Sequence, residues 1–230
     1  MDRRHILKLA GFSVIFPRGY AQPHTNALSE YCFQISPTRT IAMSKIDITP
    51  VEFLKQNPNL EAVINGIYFG DFGEPLGLAY MADGHHFATE MPRDIRGYFS
   101  VNRNGNEIQV SEKLSGALDD YWIVIGTHPL LVVNGEPHAQ SMEARYSRLM
   151  DYRSAIGTKG DNNICFAVST DKLLIQDWAR ILKESGYQGA INLDGGPKSQ
   201  LAVNENGTIR VSGPGTENTR LVIFSQTRNH

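Results

Sequence analysis

The familiar signatures of catalysis and cofactor binding are missing from this chain of 230 residues. It has no GxSxG elbow, no HExxH helix, no Walker loop and no dinucleotide-binding glycine fingerprint. Their absence removes the serine hydrolase, zincin, P-loop and Rossmann readings. Cysteine is nearly absent as well, with only Cys32 and Cys165. With no CxxC pair and no histidine at ligand spacing, neither a zinc site nor a redox motif is indicated. These two residues lie far apart in strand-like runs. They either pair across a long loop in an oxidising compartment or sit as separately buried thiols. Nor is there an excess of positive charge: 22 Lys and Arg stand against 24 Asp and Glu, for a net -2. Without a basic stripe or a nucleic-acid motif, no nucleic-acid partner is expected. No apolar run is long enough to span a bilayer, so no transmembrane segment is expected either.

What is present points to sheet. The 21 glycines and 11 prolines imply many turns, and the length suits one domain behind a leader. Residues 1–21 read as that leader. Asp2-Arg3-Arg4-His5-Ile6-Leu7-Lys8 is a twin-arginine sequence followed by a modest apolar run from Leu9 to Phe16. Gly19-Tyr20-Ala21 then offers small residues ahead of a cleavage site before Gln22. This resembles a twin-arginine export signal, with an ordinary secretory signal as the alternative. It predicts a periplasmic or secreted domain over residues 22–230.

Within that domain, Tyr31 to Ile35 and Ile41 to Ile46 alternate like strands, and Ser36-Pro37-Thr38-Arg39 between them predicts a hairpin turn. Thr49-Pro50-Val51-Glu52 is a capping box with proline at the first helical position, so a short helix should run from there to Asn57-Pro58. Ala62-Val63-Ile64 is a buried strand leading into Asn65-Gly66. Tyr98 to Val101 and Glu107 to Val110 flank an Asn-Gly turn as a hairpin. Trp122 to Ile125 and Leu130 to Val133 are two more strands. The apolar spacing of Leu173, Leu174, Trp178, Ile181 and Leu182 predicts a helix from about Thr170 to Ser185, capped by Ser169 or Thr170 and stopped by Gly186. A last hairpin should join Thr208–Val211 to Leu221–Phe224 around Ser212-Gly213-Pro214-Gly215. The predicted fold is a single α+β domain, with a mostly antiparallel or mixed twisted sheet core and a few flanking helices.

The stretch richest in chemistry is Ala190-Ile191-Asn192-Leu193-Asp194-Gly195-Gly196-Pro197-Lys198-Ser199. A short apolar strand delivers Asn192 and Asp194 and then breaks at two glycines and a proline. A carboxylate there can be held rigidly and face a cleft. The turn N–H groups of Gly195 and Gly196, with Lys198 and Ser199, are donors suited to an anion. By itself such a turn is more often the product of a structural Asp closing a tight bend.

Three other stretches share the pattern. Asn65-Gly66-Ile67-Tyr68-Phe69-Gly70-Asp71 sets an amide and a carboxylate around aromatic residues, which suits a sugar face and its hydroxyls and also suits a hairpin with core aromatics. Arg153-Ser154-Ala155-Ile156-Gly157 places an arginine where it could fork onto phosphate or carboxylate, or lie on a surface loop. His128-Pro129 sits between two strands. His85-His86 follows Asp83-Gly84; adjacent residues of an extended chain point to opposite faces, so the pair reads as loop rather than metal site.

Five blocks occur in an order found in the phosphodiester glycosidases. They are Asn65-Gly66-Ile67-Tyr68-Phe69, Pro75-Leu76-Gly77, Pro129-Leu130-Leu131-Val132, Arg153-Ser154-Ala155-Ile156-Gly157 and Asn192-Leu193-Asp194-Gly195-Gly196. The chain resembles that family over roughly residues 30–225. It departs from the family pattern at Ile67 and Tyr68, where Gly-Phe is usual, at Gly126-Thr127-His128, and at Lys198, where a small hydroxyl residue is common. All of these lie on the presumed substrate side.

The resemblance implies a hydrolase of glycosidic bonds to phosphate, acting on a carbohydrate or sugar-phosphate substrate. Ordinary glycoside hydrolysis uses two carboxylates because a sugar alkoxide must be protonated as it leaves. A phosphate leaving group has a low pKa and depends less on acid assistance. On this reading Asp194 is nucleophile or base, and Arg153 and Lys198 neutralise the leaving phosphate. Asn65 and Asn192 orient the sugar. Gly66, Tyr68, His128, Gly195, Gly196 and Ser199 line the substrate side, and Asp71 is the reserve carboxylate. No cofactor is required, and a divalent cation beside Asp71 and Asp194 is the one addition the residues permit. The alternatives are a glycan-binding envelope protein without turnover, and a phosphodiesterase attacking phosphorus.

Overall fold

Antiparallel pairing alone builds the sheets among the described residues. The computed structural model describes residues 27–36, 39–83, 96–142, 148–160 and 162–227. The leader, Pro37-Thr38 of the first turn and the His85-His86 pair lie outside them.

The chain opens with β1 (Leu28–Gln34), β2 (Arg39–Ile48), α1 (Pro50–Gln56), β3 (Leu60–Asn65) and β4 (Leu78–Met81). There follow β5 (Gly97–Asn102), β6 (Ile108–Ser111), β7 (Tyr121–Thr127), β8 (Leu130–Val133) and β9 (Glu136–Pro137). The last third holds β10 (Ser154–Thr158), β11 (Asn163–Ser169), α2 (Ile175–Glu184), β12 (Gly189–Asn192), β13 (Leu201–Glu205), β14 (Thr208–Ser212) and β15 (Thr219–Thr227). Three sheets result, ordered β1-β11-β10-β12-β8-β9, β14-β13-β3-β15-β2 and β4-β7-β5-β6. The α+β expectation, with a mostly antiparallel core, describes this architecture.

Alternation along the strands sorts residues between two layers. In the six-stranded sheet, Ile156, Phe166 and Ile191 face a central core shared with the other two sheets. Their neighbours Ala155, Cys165, Ala167 and Ala190 face outward onto α2. The small residues on that outer face leave room for Trp178, which is fully buried with Ile175, Ala179, Ile181 and Leu182 beside it. Cys32 lies directly opposite Cys165 in the β1–β11 register, and the two are joined as a disulfide. The choice left open by the sequence therefore falls to pairing.

The capping box at Thr49 is formed as expected: Glu52 N–H donates to the threonine hydroxyl, and the Thr49 N–H donates to the Glu52 carboxylate. Three other expectations are corrected. Ser36 and Arg39 do close a turn, but β1 and β2 then diverge into different sheets, β1 onto β11 and β2 onto β15. The second helix begins at Ile175, about a turn late, because the preceding segment is tied down elsewhere. Ser169 ends β11 and its hydroxyl accepts the Arg153 N–H, while Leu173 exchanges backbone hydrogen bonds with Asp151 at 2.8 and 3.2 Å. The terminal hairpin is also different. β14 folds back on β13, and β15 runs between β3 and β2. The reason is burial: Leu221 to Phe224 is an unbroken buried run suited to a central strand, whereas Val211 on β14 is exposed, as on an edge.

Candidate functional site

Two strand ends from different sheets meet at one point. Strand β3 ends in Asn65-Gly66, and β12 delivers Asn192, Leu193 and Asp194. Gly66 joins the two sheets through its backbone: its N–H donates to Leu221 O at 2.8 Å, and its carbonyl accepts Asp194 N–H at 2.9 Å. A β-carbon here would lie 2.8–2.9 Å from Leu221, so only glycine permits this approach.

Asn65 is fully buried, and its amide joins three segments. Nδ2 donates to the Asp194 carbonyl at 2.6 Å, while Oδ1 accepts from Ser154 Oγ at 2.8 Å and from Gln200 N–H at 3.1 Å. The Asn65 amide is thus engaged inside the fold and fixes the backbone at Asp194. Ser154 and Gln200 belong to the same support and escaped the sequence reading. The visible signal was only a small hydroxyl residue beside Arg153.

Asp194 itself is buried, with its carboxylate Oδ2 3.1 Å from Lys198 Nζ. Burial pushes its carboxyl above the ordinary aspartate range. The Lys198 ammonium opposes that rise, the negative charge of Glu217 adds to it, and the Gly195 N–H donating to the carboxylate again opposes it. The Gly195 donor thus serves Asp194 directly, and Gly196 N–H is taken by Tyr152 O at 2.9 Å. The turn donors expected to cradle an external anion are engaged inside the fold, which leaves Lys198 as the cation of this turn. Ser199 is fully buried, and its hydroxyl has no hydrogen-bond partner among the described residues.

The aromatic side is assembled by Asn192. Its Nδ2 donates to the Tyr68 hydroxyl and, at 2.9 Å, to Leu193 O. The Tyr68 ring stacks on His128 with centroids 5.4 Å apart and an 18° angle between planes. Arg153 lies within electrostatic reach of Tyr68. Its Nε donates to Leu173 O at 3.0 Å, and Nη2 donates to Leu149 O. Burial lowers the basicity of the guanidinium, partly offset by Tyr68 and Asp151. Arg153 therefore braces the 149–153 segment against 173 as well as bordering Tyr68.

Asp194, Lys198, Asn192, Tyr68, His128, Arg153, Asn65 and Gly66 thus form one connected group. Asp71 stands apart, exposed at the tip of the 66–77 loop, with no hydrogen bond or ion pair to that group among the described residues. The carboxylate whose charge bears on Asp194 is instead Glu217, far along the chain on the 213–218 loop, which no spacing rule connects to the motif. Among the described residues no three His, Cys, Asp or Glu side chains are grouped to hold a metal ion, and no helix is long and apolar enough to cross a membrane.

A strand-end carboxylate held against a lysine thus sits beside an amide-anchored tyrosine. A family model for phosphodiester glycosidases matches residues 58–224, and the chain belongs to that family of glycosidic-bond hydrolases. No curated protein sequence gives a significant match. Solved structures that share the fold include the following three. The catalytic domain of zebrafish N-acetylglucosamine-1-phosphodiester alpha-N-acetylglucosaminidase, auto-inhibited by its pro-peptide, aligns with a TM-score of 0.65 at 17% identity, over 90% of this chain and 87% of that one. A hypothetical protein from Synechocystis aligns with a TM-score of 0.53 at 15% identity, over 90% and 58%. A putative exported protein from Burkholderia pseudomallei K96243 aligns with a TM-score of 0.52 at 12% identity, over 82% and 71%.

Proposed function

We propose that this protein is an exported phosphodiester glycosidase that cleaves the bond between a sugar and phosphate, with Asp194 as nucleophile and Lys198 as the cation that receives the leaving phosphate. The observation that carries the reading is the Asp194–Lys198 pair, 3.1 Å apart at the mouth of the turn. As Asp194 forms a bond to the anomeric carbon its negative charge disperses, and the charge grows on the departing phosphate oxygen. One ammonium beside both can follow that transfer, stabilising the developing anion in a site with little competing water. The leaving phosphate takes the electron pair without a proton, and the reaction needs no cofactor.

Tyr68 and His128 supply a flat face for the sugar, with Asn192 fixing the tyrosine. The buried Arg153 guanidinium adds positive potential on the same side. The zebrafish enzyme named above acts on N-acetylglucosamine-1-phosphodiester, so that sugar heads the substrate panel. Lys198 and Tyr68, where this chain departs from the family pattern, are the positions expected to set its own preference.

Export is supported by the Arg3-Arg4 leader over residues 1–21 and by the Cys32–Cys165 disulfide, a bond that persists in oxidising compartments. The function is tested on a panel of sugar-1-phosphodiesters with the mature chain. Wild type should release sugar and phosphomonoester, and Asp194→Asn should bind the same substrate without turning it over. In isotopically labelled water the label should enter the sugar. Label in the phosphate would show attack at phosphorus, and no cleavage across the panel would leave a binding protein.

A further inference from the structure

The loop 213–218 lies directly on the turn that carries Asp194 and Lys198. Gly215 N–H donates to Ser199 O at 3.1 Å, and Thr216 and Glu217 N–H both converge on Pro197 O at 2.8 and 3.3 Å. Gly215 has φ +47, and a β-carbon there would collide with the Gln200 side chain, so the close seating depends on glycine. Glu217 is thereby anchored through its backbone one residue from Lys198, while its side chain remains exposed. Charged groups on the surrounding elements are Asp194 and Lys198 on the turn, Arg220 at the start of β15 and Asp47 near the end of β2. Arg220 reaches across to Gly73, and the Asp47 carbonyl accepts from the Asn218 amide at 2.9 Å.

We propose that Glu217 is the second carboxylate of the reaction, the base that takes a proton from the attacking water. This rests on the reading of Asp194 as the nucleophile toward a sugar-1-phosphodiester. In the first step an Asp194 oxygen bonds to the anomeric carbon. The carbon–oxygen bond to phosphate breaks with its electron pair, and the phosphomonoester leaves beside Lys198. No acid is needed, so Glu217 is idle. In the second step water attacks the same carbon while one of its protons passes to Glu217. The bond to Asp194 breaks, and the carboxylate recovers its electron pair. Glu217 then returns the proton to solvent. Two displacements retain the anomeric configuration. The influence of Glu217 on Asp194 agrees with this placement, since charge on one carboxylate is felt by the other.

The exposed side chain makes Glu217→Gln and Glu217→Ala compatible with the fold, which thermal unfolding checks. The probe is whichever chromogenic sugar-1-phosphodiester wild type hydrolyses. Removing the base should leave the first step intact and slow the second by about 10²–10⁴-fold. Glu217→Gln should therefore show a burst of phosphomonoester followed by slow turnover, with kcat falling far more than kcat/KM. Azide, which needs no deprotonation, should restore turnover of Glu217→Ala and give a glycosyl azide of retained configuration. Wild-type-like turnover without a burst in Glu217→Gln, beside an inactive Asp194→Asn, would overturn the role of Glu217 alone. Inactivity of wild type on the whole panel would overturn both readings.

Discussion

The side-chain amide of Asn65 donates to the main-chain carbonyl of Asp194 at 2.6 Å, joining residues 129 positions apart in sequence. This contact ties the end of one sheet to the end of another at the point where the candidate nucleophile emerges. It also gives an asparagine with no access to solvent a direct hold on the backbone of Asp194.

Replacing Asn65 with Ala leaves the Asp194 carbonyl, the Ser154 hydroxyl and the Gln200 N–H without their partner in a buried setting. A loss of about 1–3 kcal/mol follows from the cost of unsatisfied buried groups. Chemical denaturation should show that loss, and turnover should fall even below the melting transition, because Asp194 is no longer held in place.

Lys198→Gln removes the charge that holds Asp194 ionised against burial. The Asp194 carboxyl should then rise further above its ordinary range. Since the nucleophile must be ionised, the acid limb of the kcat/KM profile should move to higher pH. A profile recorded with wild type and variant checks the direction. An unmoved limb would mean that Lys198 acts on the substrate alone.

Asp194→Asn should stabilise the fold at neutral pH. The folded-state pKa of Asp194 is raised above its ordinary value of 3.8, so the protonated form is the one the fold favours. That preference is fully present below the unfolded pKa and is lost as pH rises through the folded one. At neutral pH the ionised carboxylate is thus a cost, which an amide avoids. The stabilisation would appear as a higher melting point. The gain should shrink as pH falls through the folded pKa, and calorimetry across pH would show it.

The disulfide should matter for stability alone. Cys32→Ser with Cys165→Ser should cost about 2–5 kcal/mol, because the bond closes a long loop in the unfolded chain. Thiol titration of the unreduced, denatured protein should detect no free cysteine. Turnover of the folded double variant should match wild type.

Local chemistry in the sequence was enough to determine much of this protein. The Thr49–Glu52 capping box, the buried run at Ala62–Ile64 and the strand that leads through Asn192 to Asp194 follow from spacing and turn residues, and the five ordered blocks carry the resemblance to the family. Those signals act over a few positions, through hydrogen bonds and burial that neighbouring residues dictate. Only the tertiary structure decided which distant segments meet. Leu221–Phe224 inserts between β3 and β2 because a fully apolar run gains most at the centre of a sheet. The Asp151–Leu173 bridge delays α2, since a paired extended backbone excludes the helical turn. The same long-range packing engages the Gly196 donor with Tyr152 and leaves Asp71 exposed at its loop tip. It also lays the Glu217 loop on the turn of Lys198, because backbone groups across a glycine-lined contact must find partners wherever the fold brings them together.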